Sequence, residues 1–198
     1  MSLVGRRHLA VLLAALLLGG CSAKSPTGGN VLYVPNGLIR PGTYNSSIGE
    51  PSLFLLWDAQ VRGHDVVHLT SARIGVVPKG MVIEHVWATR ADSPGHVGGA
   101  RGRDAINSFL PYMQEVSRVD LDPSCAPWWV CLDWRHPPGT PPYQNWSIMV
   151  QAHIIKPGAY LGKDLVVTYT VGKSTYVQTI PAEFGITTGP TDPWFGRN

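Results

Sequence analysis

Residues 145–155 read NWSIMVQAHII and residues 164–180 read DLVVTYTVGKSTYVQTI. In the first stretch Trp146, Ile148, Val150, Ala152 and Ile154 fall on one parity, and Ser147, Met149, Gln151 and His153 on the other. A side-chain period of two belongs to a β-strand, whose successive residues point to opposite faces. In the second stretch two β-rich runs meet at Gly172-Lys173, a short loop of the glycine-first hairpin type. Together they predict antiparallel β-structure for the C-terminal half.

Strand signals continue outward from this core. Leu53 to Trp57 is unbroken apolar sequence, and MVIEHVWAT (81–89) reads as a further strand after the turn Pro78-Lys79-Gly80. Asp65 to Val77 alternates with a slip of phase: Val67 and Leu69 share one parity, Ala72 and Ile74 the other. Such a slip requires a bulge or kink near Thr70-Ser71. VLYV at 31–34 reads as an edge strand, IRPGTYNSSIGEP as a loop and KPGAYLGK as a turn-rich connector. With 22 glycines, 17 prolines and only 15% charged residues, the composition suits a turn-rich exported β-protein. The expected fold is all-β, an immunoglobulin-like antiparallel β-sandwich over residues 31–185.

A long loop-rich insertion is expected at 90–144. ADSPGHVGGARGRD reads as a glycine-rich loop, and INSFLPYMQEVSR as a short helical or irregular piece interrupted by Pro111. Structureless segments longer than about 15 residues inside a compact domain are usually functional or disordered, so ligand contacts are expected here first. The tail, residues 186–198, reads as extended, with Trp194 and Phe195 either docked or exposed.

The N-terminus carries Arg6-Arg7, an apolar run from Leu9 to Leu18, then Gly19-Gly20-Cys21. A run this short falls well below the roughly 20 apolar residues of a spanning helix and fits a signal peptide over residues 1–20. Leu18-Gly19-Gly20-Cys21 resembles the lipobox of bacterial membrane lipoproteins. That resemblance implies cleavage before Cys21, acylation of Cys21 and residence on the extracytoplasmic face of the cell membrane. SAKSPTGGN (22–30) has the composition of a flexible tether, so residues 21–30 link anchor to body. The phrases VVHLTSARI and NWSIMVQAHIIKPGAYLGKDLVVTYTVG are similar to those of secreted actinobacterial proteins with Ig-like domains. This likeness implies the fold and no activity.

Without residues 1–20 the 16 basic residues fall to 14 against 13 acidic ones, a formal charge of +1. A near-neutral body with no dense Lys/Arg stripe is not an electrostatic footprint for nucleic acid.

The stretch SCAPWWVC (124–131) poses a choice between a redox or metal site and a staple. A redox dithiol normally presents C-x-x-C at a helix N-terminus, where the dipole lowers the thiol pKa. Here five residues separate Cys125 from Cys131, and the run after Pro127 reads as a strand. Trp128, Val130, Leu132 and Trp134 share its apolar face, which points Cys131 away, toward Cys125. A Cys125–Cys131 disulfide is therefore expected, leaving an even cysteine count once Cys21 is acylated. Trp129 lies opposite the apolar stripe and is the aromatic candidate for stacking on a sugar or peptide, against core packing for the other tryptophans.

Other chemistry is thinly supported. His64 and His68, four apart on a strand, sit roughly 13 Å from each other and cannot share an ion; His68 is expected on the solvent side. His85, His96, His136 and His153 are scattered, as are Met81, Met113 and Met149, so no metal site or cofactor is assigned. G-x-S-x-G, H-E-x-x-H and P-loop signatures are absent, and no catalytic residue is nominated. The expected function is non-catalytic: a lipid-anchored protein binding an envelope protein or glycan, or serving structurally there. Its rivals are a copper- or zinc-handling lipoprotein, which requires the scattered His and Met to converge, and an envelope enzyme, which requires a concave site with converging polar groups.

Overall fold

The computed structural model describes residues 31–32, 40–59, 61, 65–90, 99–121 and 146–190. The signal peptide, Cys21, the tether, Cys125, Trp129, Cys131 and the aromatic end of the tail lie outside the described residues.

Six long strands build two sheets: β2 (Ser52–Ala59), β3 (Val67–Val76), β4 (Met81–Arg90), β8 (Trp146–Ile154), β9 (Ala159–Val171) and β10 (Ser174–Thr187). Short strands β1 (Gly42–Thr43), β5 (Gly99–Arg101), β6 (Met113–Glu115) and β7 (Asp120–Leu121) extend their edges. One sheet runs β1-β10-β9-β3-β7 and the other β5-β2-β8-β4-β6. If the six long strands are lettered B to G in chain order, the sheets become B-E-D and G-F-C, the arrangement of an immunoglobulin sandwich. All pairings are antiparallel among the described residues except β1, which lies parallel to β10.

Between the sheets lies one core, in which Phe54, Trp57, Leu69, Ile148, Leu165, Val167 and Phe184 are sequestered from solvent. The predicted slip in β3 is a register shift between Leu69 and Ser71, which keeps Leu69 and Ile74 both inward despite their opposite parity. The Gly172-Lys173 hairpin also forms, with Gly172 alone of the pair at positive φ, 58°, as a type II′ turn requires.

Strands β9 and β10 run further than the sequence suggests. Gly162, read as part of a turn-rich connector, is instead mid-strand, paired with Phe184. A Cβ at this position would lie 2.2 Å from the Phe184 ring, so the glycine permits close approach across the ladder rather than a turn. Pro181 does not end β10, because it falls in the irregularity between Ile180 and Glu183, where a missing N–H is tolerated.

The described part of the 90–144 segment is structured and woven into both sheets. β5 pairs with β2, β6 with β4 and β7 with β3. Between β5 and β6, helix α1 (Arg103–Phe109) leads into a 3-10 turn at Leu110–Tyr112 that contains Pro111. Ile106 of α1 buries against Leu53 and Met149, with Leu55, Trp87, Ala100 and Met113 around them. This second small core covers the outer face of the β2-β8-β4 sheet and explains why nearly every residue of β8 is buried. Val116, Val119 and Leu121 turn the other way and join the main core, closing the open side between β3 and β4.

The chain enters the body at Leu32, which bridges to Val61. The buried Gln178 side chain treats Leu32 as a neighbouring strand would: its Oε1 accepts from the Leu32 N–H at 3.3 Å and its Nε2 donates to the Leu32 carbonyl at 3.0 Å. Tyr169 donates its hydroxyl to the same Gln178 oxygen at 3.4 Å. Burial pushes the Tyr169 phenol above the ordinary value of 10.0, the backbone at Val31 pulls it partly back, and Tyr176 adds to the rise. A raised folded-state pKa means that this group's stabilisation is complete below pH 10 and is lost as pH climbs through the higher folded value. Denaturant midpoints measured from neutral to strongly alkaline pH should therefore fall less steeply above pH 10 in Tyr169→Phe than in the parent.

Candidate functional site

The outer face of β4 carries a run of polar and aromatic groups that a simple alternation would not bring together. Ile83 and Val86 both pack toward the main core, and the register shifts between Ile83 and His85. This bulge lets two consecutive residues, Glu84 and His85, face outward, followed by Trp87. Bulges that re-aim side chains in this way are common beside functional sites. From the adjacent β8, Gln151 and His153 share the same face, since they are two residues apart on one strand.

Hydrogen bonds join these side chains into a chain. One carboxylate oxygen of Glu84 lies 2.8 Å from His153 Nδ1, and the other accepts from the Gln151 amide. Gln151 Oε1 in turn accepts from the Trp87 indole N–H at 3.3 Å. The His85 ring lies against Trp87 with centroids 4.7 Å apart and a 34° tilt. Glu84 and His153 are about one-fifth exposed, so the pair is shielded yet reachable. The carboxylate contact at Nδ1 fixes the orientation of the His153 ring. The exposed His85 side chain makes no hydrogen bond to the described residues. The patch therefore presents a carboxylate, an oriented imidazole and a second ring in fixed positions, a surface suited to a ligand with several hydrogen-bonding groups.

A second concavity, of about 400 Å³, opens between β1 and β5. Thr43, Phe54, Gly99 and Arg101 line it. Thr43 Oγ1 lies 3.1 Å from the Ser46 hydroxyl and 3.4 Å from that of Ser52. Arg101 is occupied at its rim, donating to the Tyr44 carbonyl at 2.7 Å and lying 3.5 Å from Glu50. No histidine, cysteine or carboxylate lines the cleft among the described residues.

Of the histidines expected to be scattered, His85 and His153 instead sit on the same β4–β8 face, and His96 and His136 lie outside the described residues. His68 is on the solvent side, 2.5 Å from Asp120, on the β3 edge of the other sheet. Met81 is sealed in the main core, whereas Met113 and Met149 belong to the cluster under α1. No group of three His, Cys, Asp or Glu among the described residues is placed to hold a metal ion. His64 also lies outside them. What sequence reasoning missed is the meeting of Glu84 with Gln151 and His153. The adjacent Glu-His-x-Trp of β4 is visible in the sequence, but its partners appear only once β4 is registered against β8.

No family model matches the chain, and no curated protein matches it. Among solved structures, the VesB protease of Vibrio cholerae is similar over 78% of this chain at 7% identity and a TM-score of 0.34. The chain spans about a third of that protein, 32% of its length. A likeness this distant transfers no activity.

Removing the Glu84 carboxylate leaves Gln151 and His153 without their shared acceptor in a half-buried setting. Glu84→Ala should cost about 1–3 kcal/mol in urea unfolding and shift the Trp87 emission. A double-mutant cycle with His153→Ala should show coupling of the same sign, and strict additivity would mean that the pair is not formed.

Proposed function

We propose that this chain is a lipid-anchored extracytoplasmic protein of the bacterial cell envelope with a non-catalytic binding role. The observation that carries the reading is Leu18-Gly19-Gly20-Cys21 at the end of an apolar run, followed by the small, polar, glycine-rich sequence SAKSPTGGN. No helix among the described residues is long and apolar enough to cross a membrane. In this reading acyl chains at Cys21 hold the body near other envelope components and raise its effective concentration there.

Two features support binding. Immunoglobulin-like sandwiches offer rigid surfaces on which side chains can be pre-positioned, and the Glu84–Gln151–His153–Trp87 chain is such a surface. The partner is an envelope glycan or protein whose donors match an outward carboxylate and imidazole. A disulfide between Cys125 and Cys131 would brace a second element that displays Trp129, closing a short loop worth roughly 2 kcal/mol.

Intact-mass and fractionation measurements test the anchor and the staple together. The parent should partition with membranes, carry the mass of acyl chains on Cys21 and yield a Cys125–Cys131 cross-linked peptide without reductant. Cys21→Ala should lose the acyl mass and the mature N-terminus. Unchanged fractionation and mass in that variant would remove lipidation, and free thiols at both other cysteines would remove the staple.

A further inference from the structure

Two turns at one end of the sandwich are built from the same residue types. Val77-Pro78-Lys79-Gly80 joins β3 to β4, and Ile155-Lys156-Pro157-Gly158 joins β8 to β9. Each offers an aliphatic side chain, a lysine, a proline and a closing glycine. They lie side by side, the Ile155 N–H donating to the Gly80 carbonyl at 2.8 Å. Tyr160 clamps them from beneath. A Cβ on Gly80 would meet the Tyr160 ring at 2.6 Å and one on Gly158 at 3.3 Å, and the tyrosine hydroxyl donates to the Pro157 carbonyl at 3.1 Å. Thr188 adds a third fastening, its N–H donating to the Gly158 carbonyl and its Oγ1 accepting from the Gly158 N–H, both at 3.1 Å. This end is thus rigid, not a pair of loose loops.

Its outward surface is apolar and cationic together. Val76, Val77, Val82 and Ile155 are 51%, 42%, 37% and 50% exposed, an unusual density of aliphatic side chains in water at one end of a small body. Lys79 and Lys156 are exposed and have no carboxylate partner among the described residues. Neighbouring charges are largely paired off: Arg40 and Lys163 flank Glu183 at 3.3 and 3.1 Å, and Arg101 faces Glu50. Asp164 lies back from the tips, beside Gly75. Neither turn contains an acid.

We propose that this end docks on an anionic lipid surface, the four aliphatic side chains entering the headgroup boundary and Lys79 and Lys156 meeting phosphate. Aliphatic burial with flanking lysines is the chemistry of interfacial membrane contact, each lysine adding electrostatic attraction to acidic lipid. The inference stands apart from the acyl anchor but fits it. Leu32 enters at the opposite end of the body, and the ten peptide units from Cys21 to Val31 span about 33–36 Å when extended. The nine residues of β8 span about 30 Å. A tether running back along the body therefore just allows tips and acyl chains to share one bilayer.

Ser22–Asn198 contains every described residue, and so the whole of both cores, but no acylation site; its vesicle binding is consequently independent of Cys21. Co-sedimentation should show binding to vesicles of phosphatidylglycerol and phosphatidylcholine, weakened by salt, and little binding to phosphatidylcholine alone. Lys79→Glu and Lys156→Glu should each lower the partition coefficient at least about fivefold. Val77→Ser with Ile155→Ser should lower it further, whereas Val177→Ser, an exposed aliphatic change at the opposite end, should leave it unchanged. Circular dichroism confirms that each variant keeps its strand spectrum. Absence of binding to the anionic vesicles, equal binding to neutral ones, or tip variants that bind like the parent would overturn the proposal, and an end that served an acidic protein instead would give the first of these results.

Discussion

The two sheets meet where Phe54 of β2 lies against Phe184 of β10, their ring centroids 5.4 Å apart. Aromatic pairs contribute about 0.5–1.5 kcal/mol beyond the area they bury, but the larger effect here is geometric. Phe184 finds room only because its cross-strand neighbour is Gly162. That places the start of β9 close under the ring and fixes how β10 crosses the end of the core. Beyond it, Gly185 and Ile186 take β1 as a parallel partner.

A second constraint follows on the outer face of β8. Its four outward residues, read in order, meet three environments. Ser147 donates to Asp58 at 2.6 Å, Met149 lies in the cluster with Ile106, and Gln151 and His153 reach Glu84. The helix cover accounts for the thioether, and the polar chain begins where that cover ends. The candidate site therefore sits at the boundary between a sealed apolar patch and open solvent, with Trp87 in both: its ring packs into the small core while its N–H serves the polar chain. Such a boundary fixes polar groups without desolvating them fully.

Much of the sandwich was legible in the sequence because inward and outward positions alternate cleanly in β8, β9 and β10, and because the break in β3 could be located from a change of parity alone. One punctuation mark misled, and a second lies inside a strand. Gly162 and Pro181 resemble turn signals, yet one is a close-approach glycine and the other occupies a bulge, so both strands extend past them. In 99–121 the short strands and the helix each contribute only one or two apolar anchors, such as Ile106, Val116 and Leu121, too few to show a period. Their structure depends on the sheets they cover. The polar chain was hidden for a similar reason: Glu84 and His153 are far apart in sequence, and only the register of β4 on β8 makes them neighbours.

Gln178 gives the molecule a mechanical character. By holding both backbone groups of Leu32, this single amide passes any pull on the N-terminal segment into β10, which is hydrogen-bonded to β9 along most of its length. A body tugged from a surface would first feel tension at that amide and at the Leu32–Val61 bridge, two small local fastenings, before the long ladders behind them were stressed. Those fastenings act as a fuse under load from the N-terminal side: Leu32 can peel away while both sheets stay closed.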